Sequence, residues 1–467
     1  MKKILLSSLV CVLMLGHVQA ERYVGGDISM LPMYEQHNSP YLDLSNKAID
    51  DLLVWFVDEC GWNTFRVRLF VNPTEGNGVV QTTEYVAQLG KRIKDAGAYF
   101  MLDFHYSDTW VDATHIQAPA AWKGANAEAM ADSLGQYTKR TLEYLKQVGA
   151  TPDLVQVGNE IMYGLCGIKV APYDNANTNA NWPAYINLVK AGCDAVREVC
   201  PQAQIIIHSD RPTNRSYNFY YYNKLVQGGV DFDVIGLSYY PFWHGYLTAE
   251  QATANGHKDN LVSAINTLAT QFPDKRVQIV EAAYNFQYWP SQGINYNTQN
   301  IWACSVAGQY KFVRALVDAL NPLPNVDGIS YWFPEEAGNG DDTNWSAGGA
   351  TVISTWQNRG FWDEDQTSSG HKINATGEYL SYLNNADKIC APYYMKKFLP
   401  ASTEGLTEQE VERGEQGAKK MIIDGQLYIQ VGESVYNAEG RAEPYRILNF
   451  EFRQKYRKQN KNRENIF

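Results

Sequence analysis

Short apolar, β-branched runs recur along the chain, and between them the apolar residues shift to helical spacing. The runs read as strands buried on both faces. They are Tyr23–Met30, Asn63–Phe70, Tyr99–Tyr106, Leu154–Glu160, Ala203–Asp210, Asp233–Tyr240, Val277–Tyr284 and Val326–Phe333. The helical stretches begin with Ser45–Cys60, where Ile49, Leu52, Leu53 and Phe56 share a face. Thr82–Ala96 follows, ending at Gly97, and then Ala127–Val148, with Leu134, Tyr137, Leu142 and Leu145. Trp182–Val199, Tyr217–Gln227, Leu261–Phe272 and Thr298–Leu320 complete the set. Eight strands alternating with helices, from residue 22 to about 385, predict an α/β chain folded as a (β/α)8 TIM barrel. A doubly wound sheet would place a glycine-rich phosphate turn after a strand, and no GxGxxG does so.

The ends of the chain follow other patterns. Residues 1–20 predict a signal peptide: Lys2 and Lys3, an apolar core from Ile4 to Gly16, and a Val18-Gln19-Ala20 cleavage site. That core is too short to stay in a bilayer, no later segment is long and apolar enough to span one, and export is expected. The catalytic domain is assigned to residues 21–400. Residues 401–419, with Glu404, Glu408, Glu410, Glu412 and Glu415, read as a linker. Residues 420–467 hold a short β appendage, Met421–Ile429 and Val435–Arg441, with turns at Asp424-Gly425 and Ala438–Gly440, then a basic, solvated tail.

Composition narrows the function. A net charge of −11 disfavours nucleic acid and anionic membranes as partners. Twelve Trp and 31 Tyr are more aromatic surface than packing needs, and flat rings suit sugar clefts. Beyond the leader lie Cys60, Cys166, Cys193, Cys200, Cys304 and Cys390. Export permits disulfides, but no CxxC spacing suggests zinc, and most of these read as buried thiols. Cys193 and Cys200 are too far apart along a helix to bridge. A monomer is expected.

In a TIM barrel the chemistry gathers at the carboxyl ends of the strands. Polar residues there are Asp27, Arg66, Arg68, Asp103, His105, Asn159, Glu160, His208, Asp210, Tyr239, Tyr240, Glu281, Tyr284 and Trp332. Two of them repeat a pattern, for the fourth and seventh strands each end in a glutamate, Glu160 and Glu281. A single such glutamate would be an ordinary loop start. A pair supplies what retaining glycoside hydrolysis needs, two carboxyls about 5–5.5 Å apart, one a nucleophile and one an acid/base. The acid needs a raised pKa, which burial and a neighbouring anion provide, whereas the nucleophile needs donors that keep it ionised. This assigns Glu160 as acid/base and Glu281 as nucleophile. Arg66 and Tyr239 become its donors, and Asn159 a donor to the sugar 2-hydroxyl. Trp332 either stacks on the sugar at the cleavage point or packs. His105 reaches substrate or Glu281, or is a satisfied core histidine, and His208 has the same two readings. Asp27 is placed among the substrate-binding residues, though it and Asp103 could instead fix their neighbours. The long loops Ser107–Asn126, Met162–Asn181 and Pro334–Trp362 are expected to wall the cleft, and Trp122 and Trp345 are platforms or loop anchors.

Three stretches resemble glycoside hydrolase family 53, the endo-β-1,4-galactanases. They are Gly25-Gly26-Asp27-Ile28-Ser29-Met30-Leu31, Leu102–Asp112 followed by Pro119-Ala120-Ala121-Trp122, and the pair Val157–Ile161 and Val280–Tyr284. The resemblance implies internal cleavage of β-1,4-galactan, the side chains of type I arabinogalactan and pectin, with retention. Some bacterial members bind calcium through a loop just after the nucleophile. Here that loop reads Asn285-Phe286-Gln287-Tyr288-Trp289-Pro290-Ser291, with few hard oxygen ligands, so no cofactor is expected. Asp341, Asp342 and Asn344 are an alternative ion site or a solvated loop. The appendage resembles the carboxyl-terminal tail of many exported proteins of Bacteroidetes-type bacteria. Two alternatives remain: an endo-glycanase of the same clan acting on glucan, mannan or xylan, and a non-catalytic carbohydrate-binding barrel.

Overall fold

A computed structural model of the chain describes residues 21–36, 41–73, 78–286, 301–336, 344–347, 350–353, 359–362, 371–372 and 391–399, and strand segments between 418 and 443. The expected signal peptide, residues 401–417 of the expected linker and the basic tail lie outside the described residues. The chain divides into two compact units, 1–400 and 401–467. The second contains a four-stranded antiparallel sheet of Ala418–Ile423, Gln426–Val431, Ser434–Asn437 and Ala442–Glu443. Residues 418 and 419, read from sequence as linker, belong to its first strand.

The first unit is a closed barrel of eight parallel strands. These are β1 (Tyr23–Asp27), β2 (Thr64–Leu69), β3 (Tyr99–Phe104), β4 (Leu154–Val157), β5 (Gln204–Ser209), β6 (Val234–Tyr239), β7 (Arg276–Ala282) and β8 (Val326–Trp332). Each strand pairs with its sequence neighbours, and β8 closes on β1. The helices following the strands are α1 (Leu52–Asp58), α2 (Thr83–Asp95), α3 (Ala127–Gln147), α4 (Trp182–Val199), α5 (Arg215–Gln227), α6 (Leu261–Gln271), α7 (Val306–Leu320) and α8 (Ala391–Met395). The fold is a (β/α)8 TIM barrel.

Two helices start later than their apolar spacing suggests, for a capping reason. The Asp51 side chain accepts the Val54 N–H at 3.1 Å and sets the start of α1. Before it, Asp43 ties the Ser45 and Lys47 N–H groups into a turn, so Ile49 lies outside the helix. Ser305 caps α7 by accepting from Gly308. Among the cysteines, Cys166, Cys193 and Cys200 are thiols without a disulfide, and Cys390 lies outside the described residues.

The barrel interior changes character along its axis. Tyr23, Met101, Leu154, Ile206, Val234 and Val280, one from each of six strands, form a buried apolar cluster. Towards the carboxyl ends the inward positions become Asp27, Arg66, Asp103, Gln156, His208, Ser238 and Glu281, all buried. Strand β7 reaches this polar layer through an irregularity. Its register against β6 runs Ile279 to Leu237 and then Glu281 to Ser238, leaving Val280 as an extra residue. Plain alternation from Val277 would put Val280 inside and Glu281 outside. The bulge turns both inwards.

Candidate active site

At the carboxyl ends of the strands lies a cleft of about 920 Å³. Strand β4 stops at Val157, earlier than the sequence suggested, because the backbone turns sharply. Gly158 has φ +90°, and an added Cβ there would meet Ile161 at 2.5 Å. Glu160 itself is left-handed, at φ 47° and ψ 46°, a conformation a non-glycine residue holds only when its surroundings enforce it. The turn delivers the Glu160 side chain to the cleft, where Glu281 also lines the wall. Its backbone N–H donates to His208 Nδ1 at 3.2 Å, and its Oε1 accepts from Ser238 Oγ at 2.6 Å.

Glu281 has different company. Its Oε1 lies 3.0 Å from Arg66 Nη2, and its Oε2 accepts from the Tyr240 hydroxyl at 2.7 Å. Arg66 is held by three further acceptors: Asp27 at 2.6 Å, Asp103 at 2.8 Å and Asn159 Oδ1 at 2.9 Å. Burial works against its charge, but Asp103, Glu281 and Asp27 overcome that and raise its pKa. Arg66 therefore stays cationic beside Glu281.

Burial pushes the pKa of both glutamates up. For Glu160 the charges of Glu281 and Asp210 add to it and outweigh the opposing Ser238 hydroxyl, so its pKa lies well above the carboxylate range. For Glu281 the main opposing influences are Arg66 and the Tyr240 hydroxyl. The pair shares its titration, and the first proton to bind belongs on Glu160.

Arg66, His105, Asn159, Glu160, Glu281 and Trp332 all line the cleft, as do Arg68, Asp210 and Tyr240. Asn159 is oriented by Arg66 and by its Nδ2 bond to the Val111 carbonyl at 2.8 Å. His105 does not reach Glu281. It sits 3.1 Å from Asp103 through Nε2 and accepts the Val111 N–H through Nδ1, so both nitrogens are used. Asp27 is fully buried behind Arg66 and does not line the cleft, so its place is support rather than sugar contact. His208 likewise lies behind the wall.

Tyr239 differs from expectation. Its ring packs against Phe312 of α7, and its hydroxyl donates to the Gly245 carbonyl at 3.0 Å. Inward positions of β6 run Val234, Gly236, Ser238 and then Tyr240, so Tyr239 falls in the outward phase. Tyr240 is the donor to Glu281. The same alternation offers Ser238, which sequence reading passed over. Tyr284 also points outwards, onto Phe312 and Phe242.

The loop after β3 forms one wall, from Thr109 to His115 and Gln117. Trp110 lies over the Arg68 guanidinium, 4.4 Å from its ring centre. Trp243, after β6, lines the cleft and is 55 % exposed, an aromatic side chain of the kind that stacks on sugars. Arg359 lies 5.4 Å from the Trp332 ring and 5.5 Å from that of Trp243. It stands 27 residues beyond β8, too far for any strand-end rule to find. Trp122 packs on Tyr137 away from the cleft. No residue of the loop 162–181 lines the cleft. Asp341, Asp342, residues 287–291 of the candidate calcium loop and the Trp345 side chain lie outside the described residues. Among the described residues no group of three or more His, Cys, Asp or Glu could hold a metal ion.

Two carboxyls in one cleft, one with its pKa raised by burial and nearby anions and one flanked by donors, suit acid-assisted displacement at an acetal carbon. The family model of glycosyl hydrolase family 53 matches residues 23–374. The chain belongs to glycosyl hydrolase family 53. It is 31% identical over 359 residues to the arabinogalactan endo-beta-1,4-galactanase of Cellvibrio japonicus, covering 73% of this chain and 86% of that protein. The corresponding enzyme of Humicola insolens is 29% identical, covering 68% and 90%. Among solved family 53 structures, the Ignisphaera aggregans catalytic domain superposes with a TM-score of 0.65 at 24% identity, over 81% of this chain and 97% of that one, which bears on the fold. A structure from a study of two fungal beta-1,4-galactanases gives 0.57 at 26% identity, over 72% and 98%. The family makes the chain a glycoside hydrolase.

Proposed function

We propose that this glycoside hydrolase cleaves internal β-1,4-galactosidic bonds of galactan, as in type I arabinogalactan and pectin side chains, with retention of anomeric configuration. The observation that carries the reading is the unequal setting of Glu160 and Glu281 in one open cleft. The named activity of the Cellvibrio and Humicola relatives supports the substrate. Glu281 attacks the anomeric carbon while the bond to the leaving oxygen breaks, and Glu160 gives that oxygen its proton. A water then loses a proton to Glu160, its oxygen bonds to the anomeric carbon, and Glu281 is released. Arg66 and Tyr240 hold the Glu281 carboxylate, Asn159 faces the 2-hydroxyl, and Trp332 supports the ring at the cleavage point.

The test is digestion of β-1,4-galactan, cellulose, mannan and xylan by the purified chain, with product sizing and proton NMR of the first-formed anomer. Short β-anomeric oligomers from galactan alone support the reading. Cleavage of another glycan replaces the substrate, and an α first product removes retention. We also propose export through the leader at residues 1–20, a carboxyl-terminal appendage of the Bacteroidetes type, and a monomer that needs no cofactor. Cell fractionation, light scattering and assays in chelator check these points.

A further inference from the structure

The hydrogen bonds at Glu160 continue behind it in a chain that the two-carboxylate reaction does not itself require. Ser238 Oγ donates to Glu160 Oε1 at 2.6 Å, and His208 Nε2 lies 2.8 Å from the same Oγ. The backbone N–H of Glu160 donates to His208 Nδ1 at 3.2 Å. That bond makes Nδ1 an acceptor, so the neutral ring carries its proton on Nε2 and donates it to Ser238. Asn159 Oδ1, 3.1 Å from Nδ1, already accepts from Arg66 at 2.9 Å and from Gln156 Nε2 at 3.4 Å and does not need the imidazole proton. A serine hydroxyl that receives one bond from His208 has one hydrogen left to give, and Oε1 takes it. Both Ser238 and His208 are fully buried, so water does not exchange these roles. Among the described residues, Oε1 has this donor and Oε2 has no hydrogen-bonding partner.

We propose that Ser238, oriented by His208, is a positioning residue that reserves Oε1 of Glu160, so that the working proton leaves and returns at Oε2. The proposal rests on the reading of Glu160 as acid/base. In the first half-reaction the Oε2 proton passes to the leaving oxygen as Glu281 bonds to the anomeric carbon. In the second, the attacking water gives its proton back to Oε2, and Ser238 keeps its hydrogen throughout.

The same bond sets the upper pH limit of activity. A hydroxyl donating to a carboxylate favours the charged form. Around Glu160 stand Glu281 from β7, Asp210 after β5 and Asp112 from the loop after β3, all of which raise its pKa. The Arg211 cation, which works the other way, and the Tyr240 hydroxyl are also near it. Around His208 stand Arg66, Asp103, His105 and His244, and with burial they leave the ring neutral. Ser238 is the donor that offsets the anions at Glu160 and lets it serve as a base in the second half-reaction.

The test is Ser238→Ala in the full chain. The basic limb of kcat/KM reports ionisation of the acid in the free enzyme. With the donor gone the carboxylate is less favoured, and the limb moves to higher pH by about one unit. A purely structural role for Ser238 would lower thermal stability and kcat and leave the limb in place, and an unmoved limb overturns the proposal. A carbon-13 carboxyl titration of Glu160 in wild type and Ser238→Ala reads the same shift without substrate. Absence of galactan cleavage by the wild type would therefore overturn the functional reading, whereas an unshifted carboxyl overturns this one.

Discussion

The ends of β4 and β7 each offer a glutamate to the same cleft, and they are built in opposite ways. At β7 an extra residue in the strand turns Glu281 into a ready-made set of donors, the Arg66 guanidinium and the Tyr240 hydroxyl. At β4 a left-handed turn puts Glu160 where its neighbours are mostly anions, and one hydroxyl is its only described hydrogen-bond donor. Two identical side chains thus acquire different proton affinities from their surroundings. Backbone irregularity delivers both of them, since a regular strand would give neither its orientation.

The largest effect breaks the comparison outright. Glu281→Ala should lower galactan turnover by roughly 10⁵-fold or more, since no other group can form the covalent intermediate. Glu160→Ala should cost about 10²–10⁴-fold, the usual worth of a positioned acid/base. Azide distinguishes the two on an activated aryl galactoside: the Glu160 variant should give the β-azide and the Glu281 variant the α-azide, read by NMR.

Next comes Arg66→Leu, which strips the cation from Asp27, Asp103 and Glu281 together. We expect about 3–5 kcal/mol lost in denaturant unfolding, because buried carboxylates are left unpaired. Activity should fall by about 10³-fold, with Glu281 no longer held ionised.

The adjacent tyrosines of β6 sharpen the comparison. Tyr240→Phe removes a donor that lowers the Glu281 pKa. Activity needs Glu281 ionised and is lost as pH falls through its pKa, so the acid limb of kcat/KM should move to higher pH. At the optimum the loss should be about 10–100-fold. Tyr239→Phe should leave both limbs in place and cost about 1 kcal/mol of stability, the worth of one neutral hydrogen bond. The smallest change is Trp243→Ala, which removes an exposed ring from the cleft wall. KM should rise roughly threefold to tenfold with kcat nearly constant, the pattern of lost uniform binding.

Most of the scaffold was legible in the sequence because buried parallel strands are continuous apolar runs and their helices keep a 3.6-residue period. Seven of the eight strands lie within their predicted stretches, and β7 begins one residue early, at Arg276. Side-chain direction was harder. Tyr239 was placed in the cleft although counting from Val234 puts Tyr240 there, a slip of one residue that changes the face. At β7 the counting itself fails, because no feature of Val277–Ala282 announces that Val280 is extra. Glu281 was found by its place at a strand end and by the family-like stretch around it. Ser238 was findable from strand phase, whereas Arg359 depends on a long loop folding back and carries no local signal. The late start of α1 had a readable cause in Asp51, whose capping role competes with the apolar spacing that begins at Ile49.

Trapping with a 2-fluoro-galactoside bearing an activated leaving group, followed by peptide mass mapping, tests the division of labour most directly. The fluorine slows both steps and the leaving group restores only the first, so the covalent intermediate accumulates. A fluorogalactosyl adduct on Glu281, formed with inactivation, is the predicted result. An adduct on Glu160 would contradict the assignment of the two carboxyls, and inactivation without any adduct would contradict the double-displacement chemistry itself.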